Sequence, residues 1–188
     1  MIMMWVVLGI IGLIALWTIF SYNRLISLKN QTLNGWKQID VQLKRRHDLI
    51  PNLVETVKGI MKFEQTTLTQ VIEARNKAIS AQGVAEKAVH ENALTGALRQ
   101  LFALVENYPN LKSSENASKL QEEISSTENK ISFARQFYND IATQFNIAQQ
   151  TFPTNMISNM FGFKPAELFE ITDASEKEVP KFDLNINK

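Results

Sequence analysis

SSENASKLQEEISSTENKISFARQFYNDIATQFNIAQQ, residues 113–150, decides the fold. Within it Ala117, Leu120, Ile124, Thr127, Ile131, Ala134, Tyr138, Ile141, Phe145 and Ala148 follow one another in alternating steps of three and four. Such spacing returns to one helix face every seven residues, the pattern of a coiled-coil-like seam. Neither glycine nor proline interrupts the run. Ser113 or Ser114 can cap its start, and Phe152-Pro153 ends it, because proline lacks the N–H that a helix interior needs.

The same period extends backwards along the chain. Leu94, Leu98, Leu101, Val105 and Tyr108 form a second stripe. Ile50, Val54, Val57, Met61, Leu68 and Val71 form a third, and Trp36, Ile39, Leu43 and Ile50 a fourth. Ala81-Gln82-Gly83 and Asn107-Tyr108-Pro109-Asn110 separate the stripes. At Asp48-Leu49-Ile50-Pro51 two outcomes are open. Asp48 can cap a new helix whose first turn tolerates Pro51, or one long helix kinks there and keeps the phase of Leu43, Ile50 and Val57. We expect the break, with helices over 22–47, 49–80, 84–107 and 113–150. The fold class is then all-α: an antiparallel up-and-down bundle over 22–150, of four helices, or of three with one long kinked helix. Residues 151–172 form an apolar C-terminal segment, and 173–188 a polar, mobile tail.

Residues 1–20 contain no charged side chain. As a helix they reach about 30 Å, the thickness of a hydrocarbon core. Trp5, Trp17 and Tyr22 stand near the two ends, where aromatic rings favour the headgroup zone. A cleaved leader is a poorer fit, since no Lys or Arg precedes the run and no small-residue cleavage site follows it. We therefore expect a single-pass anchor over 1–21 that contacts the lipid bilayer. Arg24, Lys29 and Lys37 follow the span before the first acid, Asp40. The positive-inside rule puts the N-terminus outside and the C-terminal domain in the cytoplasm.

Composition narrows the chemistry. Lys and Arg number 20 against 19 Asp and Glu, so no global field favours nucleic acid. The chain has no cysteine and two histidines, which removes disulfides, thiolate metal sites and cysteine nucleophiles. A bundle di-metal centre needs Glu-x-x-His on two helices; Glu86 and His90 are four apart, and His47 has no carboxylate three residues before it. No Ser-His-Asp pattern, phosphate loop or HExxH occurs. The expectation is a chain that is no enzyme and has no catalytic, metal or cofactor site. Lys44-Arg45-Arg46-His47 is the one dense basic run. It lies about 36 Å along a helix from Tyr22, too far for a lipid patch, and reads as a solvated or salt-bridged face. Arg75, Glu128, Arg135 and Tyr138 lie in or beside the apolar phase and are candidates for a polar network that fixes helix register. Met156, Ile157, Met160, Phe161 and Phe163 form an uncharged cluster, a candidate for packing on the bundle's own base or for contact with the membrane or with a second copy.

Residues 42–59, QLKRRHDLIPNLVETVKG, resemble the signature of the LemA family. So do ENYPNLK at 106–112, TENKI at 127–131, Ala134-Arg135 and Tyr138-Asn139, with Gly162-Phe163 and Phe169-Glu170 further on. One departure is Phe63 before Glu64, where members often carry histidine. The resemblance implies a bacterial inner-membrane protein with one transmembrane helix, a helical bundle and no assigned catalytic residues. It also implies kinship with a branch of magnetosome membrane proteins linked to invagination.

Three readings of function remain. One is a non-catalytic membrane-anchored scaffold that forms a homo-oligomer or recruits an unknown protein partner, possible in membrane organisation. The others are a hydrolase or metal enzyme with a shallow site near Glu128, Arg135 and Tyr138, and, more weakly, nucleic-acid binding through Lys44, Arg45 and Arg46. The charge bias yields a direct expectation. Protease added outside intact cells should leave the domain after Tyr22 uncut, and its digestion there would reverse the topology.

Overall fold

The structure, a computed structural model, describes residues 1–59 and 64–170. Six helices follow one another: α1 (Ile2–Lys58), α2 (Gln65–Ser80), α3 (Gly83–Val105), the single turn α4 (Pro109–Lys112), α5 (Glu115–Gln150) and α6 (Thr154–Met160). Among the described residues there is no strand. The tail expected over 173–188 and the seam residue Met61 lie outside the described residues, as does Phe63.

α5 runs along α1, and α2 and α3 form a hairpin against the far part of α1. All ten residues of the 3–4 stripe on α5 are buried or half-buried. The far core joins Ile50, Leu53, Val57, Val71, Leu94, Leu101 and Ile124. The middle core joins Ile39, Leu43, Ala88, Ile131, Tyr138 and Phe169. The third, nearest the apolar end of α1, joins Leu25, Phe145 and Ile157. α1 and α5 approach closely at Gly35, where an added Cβ would stand 3.4 Å from Tyr138 Cα. Ser114 caps α5 by accepting a hydrogen bond from the Ala117 N–H at 3.4 Å.

The expected break at Asp48-Pro51 is corrected. α1 passes straight through Pro51 and ends at Lys58. The reason is local and tertiary together. Proline at position 51 cannot donate to the carbonyl four residues back, which is that of His47. Arg75 on α2 fills the gap, its Nε donating to His47 O at 2.7 Å. Meanwhile Leu43, Ile50, Leu53, Val54 and Val57 keep their phase and stay buried. A break would have cost that face, whereas passage costs one replaced hydrogen bond. The first turn of the bundle therefore comes after Lys58, and the number of passes is unchanged. α5 still returns toward the apolar end of α1.

Arg75 and Pro51 should be energetically coupled. Arg75→Met strands a carbonyl that has no other donor in its own helix, and should cost about 1–3 kcal/mol. In a Pro51→Ala background the restored N–H serves His47 O, so the same substitution should cost markedly less. Chemical unfolding of the four proteins in detergent measures the coupling; equal losses in both backgrounds would refute it.

Candidate functional site

The densest polar cluster lies where α1, α3 and α5 meet. Arg46 is fully buried, so of the solvated or salt-bridged face that the basic run suggested it takes the salt-bridged form. Its guanidinium pairs with Glu91 of α3 and with Glu128 of α5. It also donates to Thr95 Oγ1 at 2.9 Å, and Thr95 in turn donates to Glu128 Oε1 at 2.8 Å. His47 Nε2 stands 2.9 Å from the second Glu91 oxygen. One guanidinium thus joins three helices through two carboxylates and a hydroxyl. Burial alone would raise the Glu91 carboxyl, but the hydrogen bond with His47 and the charge of Arg46 outweigh it and hold it below its usual value. Lys44 and Arg45 point into solvent.

The four residues expected to form one network take separate places. Glu128 joins Arg46. Arg75 reaches the cluster only through the His47 carbonyl. Arg135 lies over the Phe169 ring at 4.4 Å and donates to Asn92 Oδ1 at 3.3 Å. Tyr138 donates its hydroxyl to Glu167 O at 2.6 Å and sits beside Trp36, with ring centroids 5.6 Å apart. Burial first, and then the nearby Glu167 charge, push the Tyr138 phenol up, so it stays a donor. An open polar groove of about 570 Å³ runs past Asn92, Arg99, Glu128, Asn129, Ser132 and Arg135. Tyr138 is not in its lining. Among the described residues no three His, Asp or Glu gather to hold a metal.

Beyond α6 the chain returns along α5 and is held there by amides. Asn146 and Ala166 exchange two hydrogen bonds, Nδ2 to Ala166 O at 2.9 Å and Ala166 N to Oδ1 at 2.8 Å. Asn139 and Phe169 do the same at 3.0 and 2.8 Å. The two asparagines are two helical turns apart, about 10.5 Å, which three residues of extended chain also span. Sequence reasoning missed Asn139 and Asn146 as a pair. Their seven-residue interval beside the seam was the available signal. It also missed Arg46 and Glu91, each of which occupies a seam position: Leu43, Arg46, Ile50 on α1 and Ala88, Glu91, Leu94 on α3.

Two apolar surfaces are left outside. One lies between α1 and α5, where Val41, Phe133 and Phe137 are exposed beside Lys37 and Lys130. The other lies at α6. Of the five residues named there, Ile157 is buried against Leu25 and Phe145, and Phe163 is half-buried beside Tyr22. Met156, Met160 and Phe161 are exposed, as is Phe152. Among the described residues one helix, α1, is long and apolar enough to cross a membrane, and its residues 1–16 are exposed.

This arrangement defines a helical bundle borne on an apolar N-terminal helix, the architecture of a membrane-associated protein. A model of the LemA family matches residues 35–184, and the chain belongs to that family. It is 27% identical to Protein LemA of Metamycoplasma hominis, over 86% of this chain and 74% of that protein. It is 25% identical to magnetosome protein MamQ 2 of Paramagnetospirillum magneticum, over 92% and 73% of the two chains. The value for magnetosome protein MamQ of Magnetospirillum gryphiswaldense is 21%, over 92% and 74%.

The charge cluster makes stability depend on pH in a defined sense. With its folded value lowered, Glu91 adds stability above the ordinary carboxylate range, and that contribution disappears as pH falls through the folded value. Arg46→Met leaves the carboxylates without their cation and should cost about 3–5 kcal/mol at neutral pH. The deficit should shrink on acidification, because a protonated Glu91 no longer needs a cation. Urea unfolding in detergent at pH 7 and at about pH 4 checks both. A deficit that grows with acid would contradict the pairing.

Proposed function

We propose that this protein is a non-catalytic, membrane-anchored helical scaffold that self-associates in the plane of a bacterial inner membrane, its bundle on the cytoplasmic side. The observation that carries the reading is the unbroken helix from Ile2 to Lys58, which makes the apolar anchor and the first bundle helix one rigid element. An anchor of this kind holds every copy parallel and at one height. Side faces then meet repeatedly, at an effective concentration that membrane confinement raises, and parallel copies pack around an axis normal to the membrane. The face with Val41, Phe133 and Phe137 lies on the side of the rod, where only a neighbour in the same plane arrives edge to edge.

The polar chemistry supports the same side. The Glu128 oxygens are engaged by Arg46 and Thr95, and the Tyr138 hydroxyl by a main-chain carbonyl. Neither is set as an acid, base or nucleophile toward the groove. Of the basic run, Arg46 is spent inside the protein, which leaves too sparse a patch to carry a nucleic-acid reading.

The full chain in mild detergent should be larger than a monomer by light scattering. Phe133→Asp with Phe137→Asp should reduce it to a monomer while circular dichroism keeps its helicity. An assembly that survives both changes with normal helicity places the contact elsewhere, and a monomeric parent protein sinks the self-association.

A further inference from the structure

Phe152, Met156, Met160 and Phe161 are 77%, 61%, 66% and 51% exposed, and no charged residue occurs between Phe152 and Phe163. Four large apolar side chains in one short segment make an unusual water-facing surface. Their position says what covers them. α6 is pinned by Ile157, which packs with Leu25 and Phe145 in a cluster that Trp17 and Tyr22 border. The Phe161 ring lies 4.7 Å from that of Tyr22. Trp17 and Tyr22 lie just before Arg24, where the uncharged run of α1 ends, so α6 stands at the depth of the aromatic belt of the anchor.

Charge agrees with position. Residues 1–39 and 141–166 contain no Asp or Glu; Arg24, Lys29 and Lys164 lie exposed near α6, and Lys37, also exposed, stands about 22 Å along α1 from Tyr22. Lys29 Nζ lies 5.9 Å from the Phe163 ring. The acids of the domain begin farther up, at Asp40 and Asp140, and resume at Glu167. An apolar patch set in an acid-free basic collar has the chemistry of an interfacial segment on anionic lipid. The backbone also suits that zone. After α6, Gly162 takes a left-handed conformation at φ +68. Its N–H and that of Phe163 donate to Asn159 O and Ser158 O at 3.3 and 3.0 Å, which covers carbonyls that lipid cannot serve.

We propose that α6 and its flanks are a second membrane contact. Phe152, Met156, Met160 and Phe161 enter the boundary between headgroups and acyl chains of an anionic bilayer, in the leaflet nearest the bundle. The proposal rests on the anchor reading of residues 1–20, and the experiment separates the two. Because the chain has no cysteine, single cysteines report unambiguously. Met156→Cys, Met160→Cys, Leu13→Cys in the anchor and Asn110→Cys at the far end are spin-labelled in the full chain. Each is reconstituted in phosphatidylcholine vesicles with and without phosphatidylglycerol. Accessibility to oxygen, which partitions into lipid, is compared with accessibility to a water-soluble nickel complex.

Labels at 156 and 160 should show an oxygen preference several-fold above that at 110 and below that at 13. Removing phosphatidylglycerol, or Lys29→Glu with Lys164→Glu, should move them toward water. Water exposure at 156 and 160 with lipid exposure at 13 overturns the proposal and leaves the anchor standing. Water exposure at 13 overturns both. Labels shielded from both reagents, with spin broadening that rises with protein density, make the patch a contact between copies and overturn the lipid assignment. Indifference to phosphatidylglycerol and to charge reversal overturns the part given to the basic collar.

Discussion

A single guanidinium joins three helices at one level. Arg46 is buried on α1 and is compensated only because Glu91 arrives from α3 and Glu128 from α5 at the same level. Apolar stripes tolerate sliding by a heptad, since leucine on isoleucine is much the same one layer up. A buried cation does not tolerate it, for a slip by one layer leaves Arg46 and Glu91 unpaired in a low-dielectric core. The apolar layers on either side, Ile39 and Leu43 below and Ile50 and Leu53 above, supply the driving force. The ion cluster selects which of their near-equivalent stackings forms. His47 extends that selection to α2, through the carbonyl that Pro51 leaves open and Arg75 takes.

Helix existence, bundle class and the buried face of α5 were legible in the sequence because they depend on period, and period survives any tertiary detail. Ser114 as a cap and Ile131 at the centre of the seam were legible for the same reason. Pro51 was not, because its outcome depends on whether a donor from elsewhere reaches the His47 carbonyl, and Arg75 is 28 residues away. Arg46 was half legible. Its heptad phase placed it inside, while its neighbours Lys44 and Arg45 invited its reading as one of a surface run. Glu128 and Arg135 shared a stripe, yet Glu128 meets Arg46 from α1, while Arg135 lies over Phe169 and donates to Asn92. The amide clasp of Asn139 and Asn146 was invisible without the return of the chain along α5.

The comparison with LemA and MamQ proteins and the apolar start of α1 agree on a membrane setting. The distribution of polar groups then divides the rod along its length. Its far half carries the α2–α3 hairpin and the charge cluster; its near half carries aromatic rings, asparagine clasps and the returning chain. The near half is thus held to the returning chain by amide hydrogen bonds and aromatic contacts, and the far half by apolar packing around one ion cluster.

The continuity of α1 has a mechanical meaning. Arg46 stands about 36 Å along the helix from Tyr22, and no loop between them absorbs a change of angle. If the apolar start of α1 spans a bilayer as proposed, a lean of about 20°, ordinary for such a span, carries the charge cluster sideways by about 12 Å. Bilayer thickness is one influence on that lean, since a long apolar stretch tilts to fit thin lipid, and the interfacial anchors are another. The bundle is then a pointer, whose tip magnifies a change of a few ångströms in the bilayer beneath it.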